Sequence, residues 1–161
     1  MSARAAWRLE TLGFTRVYRY APGKDGWLTL GLATEGPEAV TPRAKDVADR
    51  NPPTCGLQDR LGDVRDRLRA AGRTSCIVVN DQRVILGRVR GEALAGDAEQ
   101  TVEAVMEAGP TTVRPSEPLD QLIAHLQKRK TGSIIVSTAD GVLVGVLRRE
   151  DGERRLAQRN G

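Results

Sequence analysis

One pattern limits the fold of this 161-residue chain more than any other: residues 54–98 and 112–156 are the same design written twice, in register and without a gap. Leu61 meets Leu119, Leu68 meets Leu126, and Ser75-Cys76-Ile77-Val78 meets Ser133-Ile134-Ile135-Val136. Val84, Gly87 and Arg90 then meet Val142, Gly145 and Arg148, always 58 residues apart. A repeat near this period means that one supersecondary unit is built twice. The copies differ at one chemically important position, where Ala93 faces Asp151.

Each copy predicts the same order of elements. An extended opening (Thr54–Leu57; Thr112–Pro115) precedes an amphipathic helix, apolar at Leu61, Val64 and Leu68 in the first copy and at Leu119, Leu122, Ile123 and Leu126 in the second. An apolar strand, a turn (Asn80–Arg83; Ala139–Gly141) and a second strand (Val84–Val89; Val142–Leu147) follow. A closing helix ends each copy and is shorter in the first. Between the copies, Val102, Val105 and Met106 suit a bridging helical turn before Gly109-Pro110. The order β-α-β-β-α, read twice, predicts an α+β module with two-fold pseudo-symmetry.

Composition narrows the class. Hydrophobic content of 39% with 29% charge suits a soluble globular protein, and 3% aromatic content leaves the core to Val, Leu, Ile and Ala. No apolar run approaches the roughly 20 residues that span a bilayer. Met1–Trp7 has no apolar signal region, so a cytoplasmic location is expected. Cys55 and Cys76 make no disulfide framework; Cys76 opens an apolar run, where a thiol acts as a small hydrophobe. His125 is the only histidine, which excludes a multi-histidine metal cluster and reads as a surface residue rather than a ligand, and no GxGxxG or GxxxxGK(S/T) motif occurs. The net charge of +4 is carried almost entirely by Arg. Acids are interspersed with it (Asp59-Arg60, Arg65-Asp66-Arg67), as on solvated helix faces, and no aromatic stacking platform accompanies it. Nucleic acid is therefore not the expected partner, and Lys128-Arg129-Lys130 reads as cations favoured at a helix end.

Upstream of the repeat, Ala6, Leu9 and Leu12 predict a helix over Ala3–Leu12, ended by Gly13. Phe14–Tyr20 favours a strand, Ala21–Gly26 a turn, and Trp27–Leu32 a short apolar segment. Pro37 to Pro53 reads as a linker, within which Thr41 as N-cap and Pro42 at the first position predict a helix through Asp49. The expected divisions are 1–36, 37–53 (linker), 54–109 (first motif) and 110–161 (second motif).

The doubled unit resembles a tandem pair of cystathionine-beta-synthase (CBS) domains. The carrying residues are the opening strand with Thr, the hairpin, the strand ending Gly145-Val-Leu-Arg-Arg-Glu-Asp151, and Val102-x-x-Val105-Met106 as lead-in to a second motif. The resemblance covers about residues 54–156. It implies a regulatory sensor without catalysis of its own, which binds AMP, ADP, ATP or S-adenosylmethionine in the cleft between motifs and dimerises through its helices. No resident cofactor is implied. The family's ligand signature is Gly-apolar-x-(Thr/Ser)-x-x-Asp; the second copy keeps Gly145 and Asp151 with Arg148 at the hydroxyl position, whereas the first has Arg90 and Ala93. One nucleotide site is thus implied, built around Asp151, whose carboxylate can accept ribose hydroxyls. The opening strand of one motif is taken to lie against the other's sheet, which makes Thr54 the opposite wall. Ile134 and Ile135 flank the base, and Arg148 and Arg149 pair with phosphates. Asp151 fits a second role equally, that of a helix N-cap or first-turn acid. A module whose clefts have decayed and which acts only by protein contact is the alternative.

Residues 4–36 resemble the last third of a rhodanese (sulfurtransferase) domain, through Arg8-Leu-Glu-x-Leu-Gly-Phe-Thr-x-Val-Tyr, Gly23-Lys-x-x-Trp27 and Gly31-Leu. The nucleophilic cysteine of that family sits in a loop before the helix at Ala3–Leu12, ahead of Met1 here, so sulfurtransferase activity is not implied for this segment. Either Trp7, Phe14, Tyr18 and Trp27 pack on the CBS pair or a partner, or the sequence is a fragment of a longer rhodanese–CBS sulfurtransferase. So small a piece buries too little apolar area to stand alone.

Overall fold

The computed structural model describes residues 3–18, 23–30, 32–36 and 41–159. It opens with two short helices, α1 (Ala3–Thr11) and α2 (Gly23–Thr29). The first matches expectation; the second replaces the turn expected through Gly26. Phe14–Tyr18 forms no strand, although its residues favour one. A strand needs an edge to pair with, and among the described residues none lies beside it. Trp27 Nε1 donates to the Ala33 carbonyl at 2.8 Å, which folds the chain back past α2. Ala6 and Leu28 are buried here, but Trp7, Leu12, Phe14, Tyr18 and Leu30 stay more than half exposed. The expectations for residues 19–22, 31 and 37–40 lie outside the described residues.

A single helical turn, α3 (Ala44–Val47), follows. It starts later than the Thr41-Pro42 signal predicts. Arg43 occupies the N-cap position, and its backbone N–H donates to Asp46 Oδ2 at 2.9 Å.

The doubled unit then appears as expected. The first copy is β1 (Thr54–Cys55), α4 (Leu61–Ala70), β2 (Ser75–Val79) and β3 (Ile85–Arg90), closed by a 3₁₀ turn over Gly91–Ala95. A bridging α5 (Val102–Val105) and a short β4 (Glu107–Ala108) lead to the second copy: β5 (Thr112–Val113), α6 (Leu119–Lys128), β6 (Ser133–Ser137), β7 (Leu143–Arg148) and α7 (Arg149–Ala157). The sheets run β1-β2-β3-β4 and β5-β6-β7. In each, the opening strand is parallel to the central one and the hairpin is antiparallel, with Ile77 opposite Arg88 and Ile135 opposite Val146. Two independent sets of pairings thus repeat at the same offset.

The closing helices differ for a backbone reason. Gly91 sits at φ +55, the left-handed region. An α-helix cannot start through that conformation, so the first copy makes only a 3₁₀ turn. Arg149 stands 58 residues later, and α7 runs for 9 residues.

The lead-ins are exchanged between the copies. Asp49 bridges Val146 of the second sheet, and the equivalent Glu107 pairs with Arg88 of the first. Ala44 is buried in the core of the second copy with Leu119, Leu122, Ile123 and Leu126; Val102 is buried in that of the first with Leu61, Val64 and Leu68. The Leu119 amide donates to the Pro42 carbonyl and the Leu61 amide to the Gln100 carbonyl, both at 2.9 Å. Thus residues 43–49, expected as part of a linker, complete the second motif. A third apolar group, Ile77, Ile135 and Leu143, lies between the sheets. The two hairpins are tied there by Ile85 N–H to Gly141 and Leu143 N–H to Arg83.

The cysteines correct the sequence reading. Cys55 and Cys76 are joined as a disulfide across β1 and β2, with Cα atoms 6.5 Å apart. The parallel register places Cys55 opposite Val78, on the same sheet face as Cys76 two residues earlier, and that separation is within disulfide reach.

Candidate ligand cleft

The strand register decides which side chains can meet between the copies. Ile77 and Ile135 occupy equivalent places on β2 and β6, and both face the gap between the sheets. Together they wall a cavity of about 370 Å³, within the range of small-ligand sites. The Ser75 and Ser133 side chains line it from the starts of the same strands, and Val146 lines it from β7. Pro52 and Pro53 approach from the segment before β1. The rim is charged: Asp49, Arg73, Arg88, Arg148 and Glu150.

Of the residues expected at a site, Ile135 and Arg148 line this cavity. Ile134 does not. Successive strand residues point to opposite faces, so Ile134 packs into the core against α6 while Ile135 faces the cavity. Thr54 lines a separate hollow of about 420 Å³ with Cys76, Val64 and Arg67. Its strand pairs with β2 of its own motif rather than lying against the other sheet, and the segment's contribution to the cavity comes from Pro52 and Pro53. Asp151 lies in the first turn of α7, where Arg154 pairs with its Oδ1 at 3.3 Å. The N-cap position itself belongs to Arg148. Arg149 Nε lies 3.4 Å from Glu153 Oε1. Neither Asp151 nor Arg149 lines the cavity; the acid that does is Glu150.

Sequence reasoning missed Asp49, Arg73 and Arg88. Arg73 pairs with Asp49 Oδ2 at 3.0 Å, linking the start of β2 to the lead-in on the second sheet. The signal was present, because the offset of 58 pairs Asp49 with Glu107 and sets Arg88 against Val146.

That substitution makes the two sides of the pair unequal. On the first copy's side, Glu107 Oε2 lies 3.2 Å from Arg88 and 3.3 Å from Arg90. On the second, Val146 replaces Arg88, so the lead-in acid Asp49 turns to Arg73. Among the described residues Arg148, the equivalent of Arg90, has no ion-pair partner. On one side both arginines pair with Glu107, and the other keeps a free guanidinium on its rim.

The hydrogen bond and charge of Arg88, with Arg90 beyond it, hold the Glu107 carboxyl below its ordinary value of 4.5 despite partial desolvation. Because folding lowers this pKa, the carboxylate stabilises the fold above pH 4.5 and loses that contribution as the pH falls through its folded-state pKa. A carboxyl-detected NMR titration should place the Glu107 midpoint below 4.5, and Arg88→Ala should return it toward that value. An unchanged midpoint in the variant would show that Arg88 is not the cause.

Among known proteins, residues 102–156 match the CBS domain family. No curated protein matches the sequence. Many solved structures resemble the chain along most of its length, and three illustrate the likeness. Protein MJ1004 from Mathanocaldococcus jannaschii is 24% identical, with a TM-score of 0.66, over 73% of this chain and 60% of its own. This chain therefore spans less than two thirds of that relative. CBSX2 in complex with AMP is 22% identical, with a TM-score of 0.66, over 74% of this chain and 98% of its own. The CBS domain pair of protein MJ0100, in complex with 5′-methylthioadenosine and S-adenosyl-L-methionine, is 18% identical, with a TM-score of 0.61, over 74% of this chain and 98% of its own.

The chain has the fold of a tandem CBS pair. The family match begins at Val102, the first residue of α5, so it includes the lead-in that packs on the other motif. The pair's two clefts are the inequivalent sides described above. Among the described residues no helix is long and apolar enough to cross a membrane, and no cluster of three or more His, Cys, Asp or Glu side chains is placed to hold a metal.

Proposed function

We propose that this CBS pair is a regulatory module that senses an adenine nucleotide in its second-copy cleft. The observation that carries this reading is the inequality of the two sides: only one offers a guanidinium without an internal partner, beside a dry wall of two isoleucines. Ile77 and Ile135 suit an adenine face, the Ser75 and Ser133 hydroxyls suit its polar edge or the ribose, and Arg148 suits a phosphate through paired N–H donors. Support also comes from AMP in CBSX2 and from S-adenosyl-L-methionine in MJ0100. Asp151 reaches the ribose in this reading by leaving Arg154, an exposed ion pair that costs little to break. The module acts as a sensor rather than a catalyst, as a cytoplasmic homodimer joined through the helices of the pair. Loss of ligand binding in both clefts would leave a module that acts by protein contact alone.

Titration calorimetry of the full chain with AMP, ADP, ATP and S-adenosylmethionine tests the proposal. At least one ligand should bind at micromolar to millimolar concentration. Arg148→Ala should weaken a phosphate-bearing ligand about tenfold or more, the loss expected for a charge-assisted hydrogen bond. Asp151→Ala should weaken all four through the ribose. Absence of heat with every ligand at millimolar concentration would remove the nucleotide and leave the contact-only module.

A further inference from the structure

We infer that Asp49 is an internal competitor for the anion of the cleft ligand, and that capture of Arg73 by that anion releases the lead-in from the second sheet. The inference rests on the nucleotide reading above but concerns which ligands act and how occupancy is transmitted.

Asp49 belongs to the lead-in, not to either central hairpin. Its backbone forms a two-way bridge with Val146, N–H to carbonyl at 2.9 Å in one direction and 3.0 Å in the other. Its carboxylate is shared: Oδ1 accepts from the Asn51 amide at 3.0 Å, and Oδ2 takes Arg73 at 3.0 Å. The side chain therefore shapes the turn into Pro52 and Pro53, which wall the cavity, while holding a cavity arginine from the other copy. Both partners are about one third exposed. A pair so hydrated is weak, by roughly a factor of five or less in equilibrium terms. A phosphate presents more charge and more acceptors than a carboxylate and takes guanidinium N–H groups in parallel, so it competes on favourable terms.

Two consequences follow. Ligands with a phosphate should draw on Arg73 as well as Arg148, whereas neutral adenosine cannot. And once Arg73 leaves, Asp49 keeps only its Asn51 contact, so the bridge to Val146 loses one of its anchors. The lead-in is the chain's path from the N-terminal segment into the second motif, and ligand occupancy is thereby passed outward along the backbone. The first copy carries the same device locked shut, since Glu107 is held by two arginines instead of one.

Calorimetry with AMP and adenosine on the full chain, paired with hydrogen exchange at the Asp49 and Val146 amides, tests the inference. AMP should bind about tenfold more tightly than adenosine. Asp49→Asn should strengthen AMP by up to about fivefold and leave adenosine unchanged, because it removes the competitor alone. Saturating AMP, but not adenosine, should speed exchange at both amides. Arg73→Met without ligand should speed the same amides and should weaken AMP severalfold while leaving adenosine unchanged, Arg148 still holding the phosphate. An Asp49→Asn protein that binds AMP no better than the parent, or equal protection of the two amides with AMP and adenosine, would overturn the inference while leaving the nucleotide site standing. Failure of both ligands to bind would overturn the site itself, and with it this inference.

Discussion

Gly145→Ala should lower the melting temperature by about 4–10 °C, the larger single effect of the two glycines that mark the repeat. A Cβ at Gly145 would lie 2.5 Å from the Asp49 carbonyl oxygen and 3.1 Å from Ala48 Cβ. Those are atoms of the lead-in, and the carbonyl is itself bonded to the Val146 amide. It can yield only by breaking the bridge that completes the second motif. The cost expected for forcing a methyl into such a place is about 2–3 kcal/mol. Gly87→Ala is the control. There the nearest atom is Met106 Sδ at 2.6 Å, the mobile part of a flexible side chain, although the Glu107 carbonyl at 3.1 Å must also shift slightly. Its cost should be about 1 kcal/mol. Thermal unfolding of the two variants decides between space and sequence habit. Equal losses would mean that the close approach of the lead-in is not why glycine stands at Gly145.

Gly145 also shows that one residue can answer to two constraints of which only one is visible in the sequence. As part of a ligand motif it points to a nucleotide; in the structure it makes room for a neighbouring backbone. Much of the fold was legible because the strongest cues were periodic. Leu119, Leu122, Ile123 and Leu126 define α6, and the constant offset carried that assignment back to α4. Non-periodic features were hidden. A lead-in of one helical turn has no face to read, and its partners lie about as far away in sequence as the other copy. The offset does extend to it, pairing Ala44 with Val102, but only contact with the opposite core gives those alanine and valine positions meaning. The site was half legible for a related reason. Arg148 and Ile135 follow from strand position, whereas Arg73 and Asp49 meet only because the lead-ins are exchanged. Ile134 was misplaced by treating two adjacent strand residues as neighbours on one face.

Leu61→Ala should cost about 3–4 kcal/mol, and Leu119→Ala as much. Both side chains are fully buried, at equivalent places at the start of α4 and α6. Each backbone amide is held by the stretch just ahead of a lead-in, Leu61 by Gln100 and Leu119 by Pro42. The size of the loss is ordinary for a core leucine; its distribution is the informative part. Were the motifs separate bodies, Leu61→Ala would weaken the first copy alone. With α3 buried in the second core and α5 in the first, neither copy can open without exposing a surface that the other copy's chain covers. Ile77, Ile135 and Leu143 add a shared apolar layer between the sheets. Global opening should therefore govern both central strands. Hydrogen exchange in Leu61→Ala should accelerate by several hundredfold at Val78 and at Val136 alike, and Leu119→Ala should do the same. Acceleration confined to the mutated copy would mean that the exchanged lead-ins do not couple the motifs, and that a ligand at one cleft has no cooperative frame through which to act on the rest of the chain.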